Sequence, residues 1–94
     1  QIPNGFAPES TLDSNRVFDP LGYLTAYGIE IPVENTRFFV YNRWGEIVHK
    51  ANPYEPWSGR QNNRPLPQGT YYYRLVFIRA DHDESLEGPV YLLR

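Results

Sequence analysis

The clearest pattern of polar and apolar positions lies late in the chain, between residues 70 and 79. Side chains of an extended strand point alternately to opposite faces of a sheet, with a period of two residues. One face of this segment carries only large apolar or aromatic residues, namely Tyr71, Tyr73, Leu75 and Phe77. The pattern predicts a long strand with Tyr71 and Tyr73 in the core and Tyr72 on the opposite face, available to a partner.

Residues 37–50 carry the pattern of a β-hairpin. Two segments rich in aromatic and β-branched residues, 37–41 and 46–50, flank the sequence Asn42-Arg43-Trp44-Gly45. Asn favours the first position of a type I turn, and Gly favours the left-handed residue that completes a bulged hairpin loop. A second hairpin is predicted near the end of the chain, where polar residues 81–85 separate strand 70–79 from a last strand at 86–93.

The first third of the chain, residues 1–32, is interrupted by proline or glycine every few residues. Few windows there are long enough for a helix, so short strands such as 16–18 and 29–31 are predicted instead. Further extended pieces are predicted at 57–59 and 65–67, since proline disfavours helical backbone in the residue before it. A count of about seven short strands predicts an all-β fold, an immunoglobulin-like antiparallel β-sandwich.

Length and composition narrow the class of protein further. The 94 residues suffice for one domain, 1–94, with one modest core, and 40% hydrophobic residues exclude a disordered tail. Cysteine is absent, so packing alone must hold the domain. A net charge of −2 disfavours nonspecific nucleic-acid binding, and no apolar run is long enough to span a membrane. Because the sequence begins with Gln1 rather than Met, we expect a piece of a larger or processed protein.

The residues offer little catalytic or metal-binding chemistry. The sequence has neither a Gly-x-Ser-x-Gly elbow nor a cysteine nucleophile nor a glycine-rich phosphate loop. The acidic segment 81–84 lacks the glycine that a calcium loop uses for its bend, and His49 and His82 lie far apart without cysteine. We therefore predict neither an enzyme nor a cofactor or metal site.

Three motifs follow one another in the second half of the chain. They are Asn42-Arg43-Trp44-Gly45, Trp57-Ser58-Gly59 and Pro65-Leu66-Pro67-Gln68-Gly69-Thr70-Tyr71-Tyr72-Tyr73, followed by a final strand that ends in Arg94. In this order and spacing, residues 37–94 resemble the type B C-terminal sorting domain of the type IX secretion system, also called the gliding motility-associated C-terminal domain. The turn-rich part, 1–36, shares Pro3-Asn4-Gly5-Phe6-Ala7-Pro8 with that family, but residues 9–15 replace the family's acidic glycine-rich loop.

The resemblance implies that the domain is a sorting signal rather than an enzyme. Such domains stand at the C-terminus of large secreted or surface proteins, often adhesins, of gram-negative bacteria. The resemblance implies that the domain folds in the periplasm and is recognised as a folded surface by outer-membrane type IX translocon components and a dedicated outer-membrane partner protein. The cargo then becomes secreted or attached to the cell surface, without nucleic-acid binding or direct membrane insertion of the domain.

On this interpretation the partner-binding residues are those of the hairpin tip, Tyr72 and the terminal strand with Arg94, whose edge is available for pairing. The tip residues are Asn42, Arg43, Trp44 and Gly45. Trp44 either contacts a partner or folds back over the end of the sandwich, and Arg43 either docks a carboxylate or stacks on Trp44. The residues expected to serve packing and backbone geometry are Trp57, Gly59, Gly69, Tyr71 and Tyr73.

Two other functions are compatible with the same residues. The first is a plain structural module of a surface adhesin. The second is a carbohydrate-binding module that uses Tyr72 and Trp44 as an aromatic platform. A planar aromatic patch with millimolar to micromolar glycan affinity would favour the second.

Overall fold

The computed structural model describes residues 5–8, 16–29 and 31–94, which form seven strands and one short α-helix. The elements are β1 (Gly5–Phe6), α1 (Pro20–Ala26), β2 (Thr36–Tyr41), β3 (Ile47–Ala51), β4 (Arg60–Gln61), β5 (Arg64–Pro65), β6 (Gly69–Ile78) and β7 (Asp83–Leu92). A single 3-10 turn, Val33–Asn35, precedes β2. Strands dominate and helix is scarce, so the predicted all-β class is confirmed.

Five strands form one sheet in the order β1-β7-β6-β2-β3. β2 pairs antiparallel with β3 and β6, and β6 pairs antiparallel with β7 over the full length of both strands. β1 lies parallel to the end of β7, with Gly5 opposite Tyr91 and Phe6 opposite Leu92. The predicted open edge on the terminal strand is therefore wrong at Tyr91 and Leu92, because β1 already pairs there.

The inner face of the sheet carries the core. β6 alternates as its sequence predicts, and its four buried side chains are Tyr71, Tyr73, Leu75 and Phe77. β2 and β7 add four apolar side chains with no exposed surface, namely Phe38, Val40, Val90 and Leu92. Burial of a large apolar side chain stabilises the folded state by about 1.5–3 kcal/mol. This face is therefore a main source of the domain's stability.

Loops and the short helix cover the inner face. Trp57 is only 1% exposed, and its ring centroid lies 5.3 Å from that of Phe6 and 5.1 Å from that of Tyr71. Its Nε1 donates to the carbonyl oxygen of Arg60 at 3.1 Å, so the indole's polar group is satisfied. Trp57 also exchanges two backbone hydrogen bonds with Phe18, at 2.8 and 3.0 Å, which tie the covering layer together.

The turn-rich first third differs from its prediction. Residues 16–18 form no strand, since only an isolated bridge at Phe18 is present, and Ile29 and Ile31 lie outside strands while Glu30 lies outside the described residues. Instead, α1 begins at Pro20, where proline's fixed φ suits the first helical position and its missing N–H costs nothing. The helices in the described part of the chain lack the length and apolar character of a membrane-spanning segment.

Tertiary contacts explain why so short a helix forms. Asp19 caps α1, because its Oδ1 accepts from the Gly22 amide at 3.0 Å. The buried Tyr54 hydroxyl donates to the same carboxylate and accepts from the Leu21 amide at 3.3 Å. Burial, aided by the hydrogen bond to Asp19, raises the pKa of Tyr54, so the phenol stays protonated and keeps donating. Isolated helices of this length are unstable in water. The hydrogen bonds that Asp19 and Tyr54 make at the first turn, which we call the clasp on α1, supply the stability that the helix lacks by itself.

Candidate functional site

The turn between β2 and β3 is built by Asn42. Its side-chain Oδ1 accepts from the amides of Trp44 and Glu46, both at 3.0 Å, and its Nδ2 donates to Glu46 Oε1 at 2.9 Å. The Gly45 amide donates to the Asn42 carbonyl oxygen at 3.0 Å, and Gly45 has a φ of +82°. This is the type I turn with a left-handed glycine that the sequence predicts. Asn42 and Gly45 therefore shape the tip and leave the other two side chains pointing away from the sheet.

Those two side chains, Arg43 and Trp44, form an exposed stacked pair. Trp44 is 71% exposed, so it does not fold back over the end of the sandwich. The Arg43 guanidinium carbon lies 4.4 Å from the centroid of the Trp44 ring, so the stacking arrangement is the one observed. Within the described residues no carboxylate forms an ion pair with Arg43. The pair thus presents a cation and a large aromatic surface to solvent.

A cleft of about 170 Å³ separates this pair from the loop before β6. We call it the tip cleft, and its lining consists of Asn42, Arg43, Trp44, Pro67, Gln68, Gly69, Thr70 and Tyr71. The first and third sequence motifs, 42–45 and 65–73, therefore form its two walls. Antiparallel pairing of β2 with β6 brings them together, since Tyr41 at the end of β2 lies opposite Tyr72 near the start of β6.

Arg94 holds the second wall of the tip cleft in place. Its amide donates to Gln68 Oε1 at 2.9 Å, its Nε donates to the Leu66 carbonyl oxygen at 2.7 Å, and its Nη2 donates to the Gly59 carbonyl oxygen at 3.0 Å. Three groups on two loops are thus joined to one side chain and its own amide. A direct contact between Arg94 and a partner stays a prediction, and the observed contacts give this residue a positioning role.

The other motif glycines and tyrosines serve the fold around the cleft. Gly59 has a φ of +77°, and a Cβ there would lie 2.9 Å from Leu92 Cδ1, so both backbone and packing require glycine. Gly69 has a φ of +156° at the start of β6. The buried Tyr71 donates from its hydroxyl to the Pro67 carbonyl oxygen at 2.8 Å, which fixes the loop from below. Tyr73 is buried as well, and burial raises the pKa of its phenol.

Tyr72 lies on the opposite face of the sheet and is 48% exposed, as its place in the alternation predicts. It lines a different cleft, together with Tyr41, Arg74 and Pro89. The structure therefore does not bring Tyr72 and Trp44 into one aromatic platform. The six residues predicted to bind a partner fall into three places: the exposed tip, the loop support formed by Arg94, and the outer face at Tyr72.

The β6–β7 loop carries a network of charged groups. His82 lies between Asp81 and Glu84, with Nδ1 at 2.6 Å and Nε2 at 3.0 Å from their carboxylate oxygens. Arg79 pairs with Glu84 at 3.2 Å. The hydrogen bonds to Glu84 and Asp81 raise the pKa of His82, so its imidazolium form is favoured. Across residues 5–8, 16–29 and 31–94, no group of three or more His, Cys, Asp or Glu side chains has an arrangement that could hold a metal ion.

Sequence reasoning missed one wall of the tip cleft. Pro67, Gln68 and Thr70 were recognised as parts of a motif but were not expected to bind a partner. Their position in the third motif was a usable signal, because a turn before a long strand lies at the same edge of the sheet as the neighbouring hairpin tip. Only the observed pairing of β2 with β6 shows that the two motifs share one surface.

Comparison with known families decides what kind of domain this is. The family model CHU_C Type IX secretion signal domain matches residues 1–92. The chain belongs to this family. Comparisons with curated proteins and with solved structures gave no match.

Membership in the family gives the domain its general role. The signal domain is a sorting signal of the type IX secretion system, and this family is not a catalytic one. It interacts with the type IX secretion machinery, and domains of this kind belong to proteins that are exported to the cell surface or outside. The family resemblance is thereby confirmed over residues 37–92, and the family match extends over the turn-rich N-terminal part as well.

Proposed function

We propose that the type IX machinery recognises this signal domain in its folded state, after it has entered the periplasm, through the tip cleft and the Arg43–Trp44 pair. The readers would be outer-membrane translocon components and a dedicated outer-membrane partner protein. The observation that carries the proposal is the exposure of Trp44, 71% of which faces solvent in a turn where the Trp44 and Glu46 amides donate to the Asn42 side chain.

Physical reasons favour this surface over others on the domain. Tryptophan and arginine dominate the residues that carry binding energy at protein interfaces. An exposed cation–π pair contributes only about 0.5–1 kcal/mol to stability, so the fold does not require the Arg43–Trp44 arrangement. The turn beneath the pair loses little conformational entropy on binding, because Asn42 already holds its backbone.

The way in which the tip cleft is assembled supports recognition of the folded state. Its two walls come from separate segments, which are joined by sheet pairing and by the Arg94 hydrogen bonds. An unfolded chain does not hold these segments next to each other. A reader of this surface therefore distinguishes a folded domain from an unfolded one.

A transplant experiment tests the proposal. The domain is fused to the C-terminus of a fluorescent reporter with a periplasmic signal. The fusion is expressed with its cognate partner protein in a bacterium with an intact type IX system and in a translocon mutant. We expect export only in the intact strain. Reporter trapped in the periplasm of both strains, with the domain folded, would contradict the sorting role and favour a plain structural module.

A matched pair of variants tests the surface. Trp44→Ala should reduce export several-fold, whereas Tyr27→Ala, which removes an aromatic side chain of equal exposure (72%) at the end of α1, should not. Thermal melts of both variants must match the parent domain. Normal export of a folded Trp44→Ala variant would show that the tip is not the recognised surface.

A core variant tests the dependence on folding. Trp57→Ala removes the central side chain of the covering layer, which does not itself line the tip cleft, and should cost about 3–5 kcal/mol. We expect export to fall in proportion to the unfolded fraction measured by circular dichroism. Undiminished export of an unfolded Trp57→Ala domain would indicate recognition of a linear segment instead.

A further inference from the structure

The outer face of the sheet is unusually aromatic for a surface that faces solvent. An antiparallel sheet with one packed face normally presents polar side chains on the other. Here Tyr72 and Tyr91 are 48% and 41% exposed, and Phe39 and Tyr41 are half-buried beside them with stacked rings. Aromatic residues and arginine are the types enriched at binding surfaces. The composition of this face is therefore typical of a binding surface.

A cleft of about 420 Å³ lies on this face and crosses the β6–β7 pair. We call it the outer-face cleft, and it is lined by Tyr41, Tyr72, Tyr73, Arg74, Glu87, Gly88 and Pro89. Tyr72 lies opposite Pro89 and Arg74 lies opposite Glu87, so two cross-strand pairs mark its corners. Tyr41 of β2 extends the aromatic end, because it pairs with Tyr72 on the other side.

The two ends of the outer-face cleft differ in chemistry. The end formed by Tyr41, Tyr72 and Pro89 consists of two aromatic rings and a proline ring. At the other end Arg74 Nε lies 3.5 Å from Glu87 Oε1, and both side chains remain about half or more exposed, at 49% and 65%. Such an exposed ion pair adds little to stability. Within the part of the chain that the structure describes, its remaining N–H donors and carboxylate lone pairs have no other partner and can bind a ligand.

We propose that the outer-face cleft binds a pyranose ring of a saccharide. A pyranose has an apolar C–H face, which fits against the tyrosine rings, and hydroxyl groups that both donate and accept hydrogen bonds. The neighbouring Glu87 acceptor and Arg74 donors match two adjacent hydroxyls. A cleft with an apolar wall and a few convergent polar groups is the usual form of a small-ligand site.

The paired donor and acceptor favour a saccharide over a proline-rich peptide. Proline residues also pack in tyrosine-lined grooves, but a proline ring and its carbonyl offer no hydrogen-bond donor to Glu87. The proposal does not rest on the sorting function. The outer-face cleft and the tip cleft lie on the same sheet but have no lining residue in common.

The test is a titration of the ¹⁵N-labelled domain followed by amide NMR shifts. The probes are maltohexaose, cellohexaose and chitohexaose, with a proline-rich decapeptide as the competing ligand class. We expect at least one saccharide to shift the amides of Tyr72, Arg74 and Gly88 with a millimolar to micromolar dissociation constant. Absence of shifts with all three saccharides at tens of millimolar, or shifts at these amides with the peptide alone, overturns the proposal.

Two variants make the test specific to the outer-face cleft. Tyr72→Ala and Glu87→Gln should each weaken the affinity about tenfold, which is a loss of about 1.4 kcal/mol. Trp44→Ala in the tip cleft should leave the affinity unchanged, which separates this site from the sorting surface. Both side chains at the cleft are exposed, so each variant is expected to fold, and its amide spectrum checks this. Unchanged affinity in a folded Tyr72→Ala domain refutes the site.

Discussion

Two glycines with the same backbone conformation offer a sharp test of how this domain is packed. Gly59 and Gly45 have φ angles of +77° and +82°, both in the left-handed region. A Cβ at Gly59 would lie 2.9 Å from Leu92 Cδ1 and 3.1 Å from Pro8 Cγ, whereas a Cβ at Gly45 would meet nothing within 4 Å. The changes Gly59→Ala and Gly45→Ala therefore share the backbone strain and differ in the steric clash.

The expected magnitudes follow from these two contributions. Left-handed backbone costs an alanine roughly 1–2 kcal/mol. In both variants the free energy of unfolding also rises by about 0.4–1 kcal/mol, because alanine lowers the conformational entropy of the unfolded chain. Overpacking of a filled core lowers the free energy of unfolding by about 1–3 kcal/mol more, and this cost applies to Gly59→Ala alone. We expect Gly59→Ala to lower the free energy of unfolding by about 1–3 kcal/mol more than Gly45→Ala, or roughly 4–8 °C in Tm per kcal/mol.

Urea denaturation followed by tryptophan fluorescence measures both variants. The signal is informative because Trp57 is buried in the native state and becomes exposed on unfolding. The change Leu92→Val removes the atom nearest to the added Cβ, so it should relieve part of the clash in the double variant with Gly59→Ala. Equal destabilisation by Gly59→Ala and Gly45→Ala, or strict additivity with Leu92→Val, would refute the argument that close packing at Gly59 requires glycine.

Three further outcomes are expected. Tyr54→Phe should lower the free energy of unfolding by about 1–2 kcal/mol in urea, because the Asp19 carboxylate loses a donor; no change would show that the clasp on α1 is unimportant. Arg94→Ala should destabilise the domain by about 1–2 kcal/mol and more than Arg94→Lys, since the guanidinium donates to two carbonyl oxygens at once, and thermal melts that rank the two variants the other way would contradict this. Burial lowers the pKa of His49, so the free energy of unfolding should fall as the pH drops below the ordinary value of 6.5 towards that lowered pKa. The pKa of His82 is raised, so the stability that His82 contributes should be complete below pH 6.5 and lost as the pH rises through the raised pKa. Urea midpoints against pH for His49→Gln and His82→Gln should change in opposite directions, and parallel curves would contradict both assignments.

The alternation of side chains in the sequence was sufficient to predict the central strand and the hairpin that packs beside it. Tyr71 and Tyr73 are buried and Tyr72 is exposed, because strand periodicity assigns faces without knowledge of the partner strands. The turn at Asn42 and Gly45 was equally predictable, since its hydrogen bonds lie within five consecutive residues. The order of the motifs identified the family. These features depend on local chemistry, which a sequence displays directly.

Only the tertiary structure decided the rest. α1 forms between the short strands predicted at 16–18 and 29–31, where the sequence predicts no helix, because Tyr54, more than thirty residues away, completes the hydrogen bonds at its first turn. The exposure of Trp44 and the internal hydrogen bonds of Arg94 likewise depend on which loops lie next to them. Both clefts arise at strand pairs whose members are distant in the chain. Contacts between segments that are distant in the chain leave no local pattern in the sequence. The sequence can therefore indicate residues that bind a partner without showing which of them lie on the same surface.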